Sequence, residues 1–335
     1  MILSKTPVRI EIGGGGTDVE PYSSDYGGFV INVTINQYFR SILNKRDDQL
    51  INLFSNDTFT TYKFDIIKEP DQEINTDDLL KAIVYYLKPS IGADVYIHGE
   101  PLRKAGLGAS ASLSTSLIAG ILKLNQQSID LNDVAEKAFF IEQNILKNAG
   151  GRQDQYASVY GGFNELEFLG NSNVKVNKIN LSKSFKQELE ENLILFYTGE
   201  PHVSGNLVGL QIKSYLENKA ESKKLLDKLK EIAFSMRDSL IKGDFELFGK
   251  LLTEDWKVKS KFNPLLTTDR MKGFNKLVIS NGGIGGRVCG AGGGGCMIWL
   301  IAPEKKECIF SLLKKQSGKI IDFKFVDKGL EILNV

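Results

Sequence analysis

Apolar and polar side chains alternate at the start of the chain, with Val8, Ile10 and Ile12 separated by Arg9 and Glu11. A period of two belongs to a strand with one buried face, predicted here over residues 1–12. Phe29 to Ile35 predicts a second strand, followed by Tyr38 to Asn44; residues 49–66 predict a hairpin and Ala93 to His98 a further strand. Elsewhere the period lengthens. Leu79, Leu80, Ile83 and Leu87 predict a helix from Asp77, and Leu113, Leu117 and Ile121 a helix after Gly108. Val134, Ala138, Ile141 and Ile145 predict a helix over 132–148, with Gly150 expected as its left-handed cap. On that helix Glu142 falls about 80° from Val134, at the edge of the buried face. A strand over 161–168 precedes a polar stretch, Asn171 to Gln187, read as a domain boundary. Beyond it the pattern predicts a strand at Leu193 to Tyr197 and three helical segments, the middle one at 222–242. A helix at 269–280, an apolar strand at Cys296 to Ile301, a helix at 305–316 and a closing strand at Ile320 to Val326 complete the chain.

At 335 residues the chain is long enough for two domains, which that boundary places at 1–178 and 188–335. Lys and Arg number 42 against 41 Asp and Glu. The net charge of +1 supplies no global field to draw the chain to nucleic acid or to a membrane. Cys289, Cys296 and Cys308 fit neither a metal-ligand spacing nor a disulfide framework. The opening MILSKTPVRI lacks the apolar core of a signal peptide. The apolar run from Cys296 to Ala302 is far short of the ~20 residues of a membrane helix. A cytoplasmic protein is expected.

Glycine changes the picture. More than half of the 33 glycines gather in a few clusters, and three of these, at 13–16, 106–108 and 290–295, each abut a predicted strand. A polyphosphate ligand would be a common cause. In Pro101 to Lys123 a strand, a glycine turn and a helix start come together. Residues without side chains let a phosphate touch the backbone, and the unpaired N–H groups of the first helical turn point at it. The P-loop pattern is absent. Gly106 to Ala111 and Gly290 to Gly295 both match the spacing of the dinucleotide fingerprint. The first lacks an acidic residue ending a strand about 20 residues on, and the second is followed by a strand where a helix is required. A Rossmann oxidoreductase is therefore the weaker alternative to phosphoryl transfer.

Transfer of a phosphoryl group needs positioning, charge neutralisation by Mg²⁺ and a group that orients the acceptor. Ser110 offers a hydroxyl and Glu142 a carboxylate, hard oxygens that suit magnesium. Asp154, just past Gly150 and Gly151, is expected as a general base carried on a loop. Asp18, after the first glycine run, would accept hydrogen bonds from substrate hydroxyls, and Arg9 would stabilise charge near Asp154 or the transferred phosphate. Plainer roles compete: a helix cap for Ser110, a surface ion pair with Lys137 or Lys147 for Glu142, a turn for Asp154, a solvent-facing strand position for Arg9.

With these residues in view, the three clusters resemble, in order, the three motifs of the GHMP small-molecule kinases, over nearly the whole chain. Its heptose 7-phosphate kinase branch is the most similar, with the fucokinase domain next, through Arg9-x5-Gly15-Gly16-Thr17-Asp18, Gln153-Asp154-Gln155-Tyr156-Ala157, Gly161-Gly162-Phe163-Asn164 and Trp256-x2-Lys259. The resemblance implies an α+β protein with two domains, the first like ribosomal protein S5 domain 2 and the second ferredoxin-like. It implies an ATP- and Mg²⁺-dependent kinase acting on the anomeric hydroxyl of a small-molecule sugar or sugar phosphate, and leaves a homodimer open. Asp154 then matches the catalytic aspartate, Arg9 its partner, and Ser110 with Glu142 the magnesium ligands. Gly15, Gly16, Thr17, Asp18 and His202 fall on the sugar side. The turn from Lys104 and Ala105 through Gly106, Leu107, Gly108, Ala109 and Ser110 to Ala111 falls on the ATP phosphates. Gly290, Ala291, Gly292 and Gly293 form the third motif. Three positions depart from the pattern: Ala109 stands where many members have serine, Lys104 where glycine is common, and His202 where heptose kinases usually carry arginine. A mevalonate- or homoserine-type acceptor, or a silent nucleotide or sugar sensor, are the other readings.

Overall fold

The first strand is realised with both faces covered. β1 (Ile2–Gly13) is alternately buried up to Lys5 and continuously buried from Thr6 onward, which places the polar Arg9 and Glu11 inside the protein. The structure, a computed structural model, describes residues 1–56, 59–66, 78–102, 104–170, 173–201, 204–262 and 264–334; His202 lies outside the described residues. After β1 come α1 (Tyr22–Tyr26), β2 (Gly28–Lys45), β3 (Leu50–Ser55), β4 (Thr60–Asp65), α2 (Leu79–Leu87), β5 (Ala93–Gly99) and α3 (Ala109–Leu124). Next are α4 (Leu131–Phe140), α5 (Gln153–Tyr160), β6 (Phe163–Phe168), β7 (Val174–Lys178), α6 (Lys183–Asn192) and β8 (Leu193–Tyr197). The chain ends through α7 (Ser204–Glu217), α8 (Lys219–Lys242), α9 (Phe245–Lys259), α10 (Asp269–Ser280), β9 (Gly283–Val288), β10 (Cys296–Ile301), α11 (Lys306–Lys314), β11 (Lys319–Ile321) and β12 (Glu331–Asn334). Among the described residues no helix is long and apolar enough to cross a membrane.

Two sheets organise the described residues. The first runs β12-β1-β2-β5-β3-β4, with β6 paired to β2 and β7 to β6. The second runs β11-β8-β10-β9, the 4-1-3-2 antiparallel order of the expected ferredoxin-like sheet. Trp299 fills the core of the second sheet, and its indole N–H finds Asn275 Oδ1 at 3.0 Å. The same indole requires glycine at one position of β9: a Cβ on Gly286 would lie 2.0 Å from Trp299 Cδ1.

Helix α3 is buried almost all round rather than on one stripe. Its small residues let it press on the first sheet, and its hydroxyls find partners in β1: Ser112 Oγ donates to the Thr6 carbonyl at 2.8 Å and Ser116 Oγ to the Ser4 carbonyl at 3.0 Å. Burial of hydroxyls is tolerated because each is bonded. The start of α3 is thereby fixed against the first sheet.

Three expectations need correction. The helix expected over 132–148 leaves α geometry at Phe140, and Ile141–Ile145 form a π-turn in which the Leu146 N–H reaches the Ile141 carbonyl at 3.0 Å. Its left-handed exit is Lys147, at φ 58°, not Gly150. Within the polar stretch before α6, β7 pairs with β6 and so falls inside the expected 1–178 unit. The closing strand expected at Ile320 to Val326 stops at Ile321, and the chain crosses back so that β12 pairs with β1. The crossing is held by the Val326 N–H on the Thr34 carbonyl at 3.0 Å and by Phe325 edge-on to Phe163. The last strand of the expected 188–335 unit thus belongs to the first sheet.

Candidate active site

The three glycine clusters meet. The Cys296 N–H donates to the Ala105 carbonyl at 2.8 Å, which docks the third cluster on the second. Gly106 is left-handed at φ 76°, and a Cβ there would lie 2.6 Å from the Cys289 carbonyl oxygen. Glycine is required on both counts. Gly16, Gly106 and Gly290, one from each cluster, line a single cavity of about 490 Å³. On its rim stands the exposed Lys104.

Arg9 organises one wall. Its Nε and Nη2 donate to the two oxygens of Asp154, both at 2.8 Å, and its Nη1 donates to the Gly106 carbonyl at 2.6 Å. The backbone N–H of Arg9 bonds the Leu107 carbonyl at 3.0 Å. One buried guanidinium therefore ties the glycine turn to the carboxylate, and the solvent-facing alternative for Arg9 is excluded by its 4% exposure. Asp154 is not on a loop as expected but in the first turn of α5. Gly108, which caps α3 without a side chain, brings that helix start beside both: a Cβ there would lie 3.3 Å from Arg9 Cγ and from Asp154 Oδ2.

Glu142 and Ser110 face each other across the same helix start. The Ser110 hydroxyl and the Gln155 amide both donate to the Glu142 carboxylate. Burial nevertheless pushes that carboxyl up to about 7, with the charge of Asp154 acting the same way. Glu142 stands in the π-turn and is half-buried, at the edge where helical periodicity placed it. Among the described residues no three His, Cys, Asp or Glu side chains gather as a metal-holding group. One carboxylate and one hydroxyl are instead the kind of partial oxygen set that Mg²⁺ takes when phosphates supply other ligands.

Asp18 is buried at the opposite end, accepting from the Gly16 N–H at 3.0 Å and the Gln153 N–H at 3.2 Å. Burial first, then the charges of Glu11 and Asp154, push its carboxyl up to about 6. A carboxyl raised above its unfolded value stabilises the fold below the unfolded pKa, and that contribution disappears as pH rises through about 6. Asp18→Asn should therefore gain stability relative to the parent by up to about 3 kcal/mol between pH 4 and pH 8. Paired thermal melts across that range would reveal it, and a pH-independent difference would refute it.

Other expected site residues are set back from the cavity. The Thr17 hydroxyl is consumed by backbone, donating to the Gly14 carbonyl at 2.7 Å and accepting from the Phe29 N–H at 3.0 Å. Gly15 makes room for Glu11, Ala111 is buried in α3, and Gly292 and Gly293 pack behind the site on Leu266 and Leu207. Ala291 lines the cavity beside Gly290. Gln211 of α7 also lines it, donating to the Gly16 carbonyl at 3.1 Å; no sequence signal pointed to it.

The chain matches the models of the GHMP kinases N terminal domain over residues 78–162 and the GHMP kinases C terminal domain over 236–309. It is 29% identical to a D-glycero-alpha-D-manno-heptose 7-phosphate kinase from Campylobacter jejuni, over 98% of each chain. An L-fucokinase/L-fucose-1-P guanylyltransferase from Bacteroides fragilis is 24% identical over 99% of this chain and 38% of its own length. Among solved structures, a D-glycero-D-manno-heptose 1-phosphate kinase from Bacteriodes thetaiotaomicron superposes with a TM-score of 0.81 at 25% identity, covering 100% of this chain and 99% of its own.

Proposed function

As a GHMP kinase in both its N-terminal and its C-terminal domain, this chain is a phosphotransferase that uses ATP and acts on a sugar hydroxyl, and we propose that the hydroxyl is the anomeric one of a heptose 7-phosphate. The observation that carries this reading is the Arg9 fork, which presents the Asp154 carboxylate beside the start of α3. The amides of that helix start would receive the ATP phosphates, with Lys104 adding a cation at the rim. Ser110 and Glu142 would hold Mg²⁺, which supplies charge neutralisation on the phosphates when bound. Asp18, with the backbone of Gly16, would orient the sugar hydroxyls. Asp154 accepts the proton of the attacking hydroxyl as its oxygen bonds to the γ-phosphorus. The bond from that phosphorus to the β–γ bridging oxygen breaks, and ADP leaves.

The second reading is an unphosphorylated sugar, favoured by the neutral-to-cationic His202 at a position where a sugar phosphate would be served better by a permanent cation. ADP release over a panel separates them: heptose 7-phosphate, free heptose, fucose, galactose, mevalonate and homoserine. We expect turnover with the heptose phosphate and a ³¹P signal for a new C1 ester. Turnover confined to free sugars would favour the second reading, and turnover confined to mevalonate or homoserine would overturn both.

A further inference from the structure

Four charged side chains form a cluster almost closed to solvent, with Glu11 and Lys259 in the cavity lining and Asp255 and Arg287 behind them. Glu11 lies on β1, Asp255 and Lys259 lie one turn apart on α9, and Arg287 lies on β9; their side-chain exposures run from 0% to 5%. Lys259 Nζ donates to Glu11 Oε1 at 2.7 Å and to the Gly290 carbonyl at 3.0 Å. Arg287 bonds Glu11 through Nη2, donates to the Ile12 carbonyl at 2.6 Å through Nη1, and stands 2.7 Å from Asp255. Asp255 accepts from the Gly14 N–H at 3.0 Å, and Glu11 Oε2 accepts from Gln153 Nε2 at 3.0 Å. Against the burial that would raise it, Lys259, Arg287 and Arg9 bring the Glu11 carboxyl down to about 2.

Stability alone does not call for this arrangement, because well-packed apolar residues would serve as well or better than buried ion pairs. Charged side chains can do what apolar ones cannot: fix directions. Each arm ends on a functional segment, the first glycine turn through Gly14, the third through Gly290, and α5 through Gln153. Gln153 directly precedes Asp154, and its own N–H holds Asp18. Gly15 is shaped to the hub, since a Cβ there would lie 2.1 Å from the Glu11 carboxylate.

We propose that Glu11 is a positioning residue, the hub of a buried charge latch that registers α5, with Asp154 and Asp18, against the third glycine turn. The inference rests on the kinase reading for its consequence in turnover. Its structural half stands apart from that reading.

Glu11→Gln keeps the shape and removes the charge. Kcat is expected to fall about 10- to 100-fold, the scale of a misplacement near 1 Å, while ATP affinity titrated without sugar stays within about threefold. Asp18 is faced by the carboxylates of Glu11 and Asp154 and by the N–H groups of Gly16 and Gln153. Loss of the Glu11 charge should therefore move the acid limb of kcat/KM to lower pH, a change that a merely supporting role would not make. If the single variant fails to fold, Glu11→Gln with Lys259→Met removes one charge of each sign, keeps the Arg287–Asp255 pair, and carries the same expectation for kcat. Amide exchange over Gln153–Tyr160, which needs no turnover, should quicken in either variant. Parent-like kcat with an unmoved acid limb, or unchanged exchange over α5, would overturn the latch. A parent enzyme that phosphorylates nothing on the panel would instead overturn the kinase reading, leaving the exchange experiment to decide the latch.

Discussion

Asp154→Asn is expected to release ADP at least about 10²-fold more slowly than the parent, with ATP affinity within about threefold of it. The carboxylate accepts two hydrogen bonds at 2.8 Å from one guanidinium. An asparagine keeps the size but offers one acceptor, and turns an N–H₂ group toward a donor. Both the charge and half of the fork disappear, so the group can neither take a proton nor keep its aim. ATP binding should survive because the start of α3, Ser110 and Glu142 are supplied by other elements. The loss of charge has a second readout. Asp154 is among the causes that raise the Asp18 and Glu142 carboxyls, so both should titrate lower in the variant. Steady-state ADP release beside nucleotide titration tests the first statement, and undiminished turnover with the right sugar would remove Asp154 from the chemistry.

Much of this was written locally in the chain. The strands at β1, β5, β8 and β10 and the helix at α10 follow from the spacing of apolar residues, because burial of one face acts on neighbours in sequence. The glycine turns were equally legible, since positive φ and close backbone approach leave few other residues available. What escaped reading has a common physical origin in contacts between distant parts of the chain. Alternation assigns a polar residue on a strand to solvent, yet Glu11 is buried because Lys259 and Arg287, more than 240 positions away, come to meet it. The pairing of β12 with β1 spans nearly the whole chain and leaves no local trace. The Trp256-x2-Lys259 spacing was visible in the sequence, but its role was not. Only the carboxylate of Glu11 and the carbonyl of Gly290 give the lysine one.

Arg9 separates geometry from charge, and two substitutions there should behave differently. Arg9→Met removes the partner of a carboxylate that is 27% exposed, so Asp154 keeps some hydration and the fold need not collapse. It also leaves the Gly106 carbonyl without its 2.6 Å donor. Turnover should fall by about 10² or more, on the scale of losing a positioned charge, and ATP affinity should weaken with it because the glycine turn loses a prop. Arg9→Lys restores the charge without the fork. A single ammonium is a compact point charge and cannot reproduce two parallel bonds to Asp154 together with a third to the turn. Kcat is therefore expected to stay at least about tenfold low in Arg9→Lys while ATP affinity recovers only in part. If charge alone mattered, lysine would restore both, and kcat and nucleotide affinity measured on the two variants side by side would show it. Recovery of parent turnover in Arg9→Lys would mean that the bidentate geometry at 2.8 Å is incidental, and that Arg9 acts on Asp154 through its field rather than through its shape.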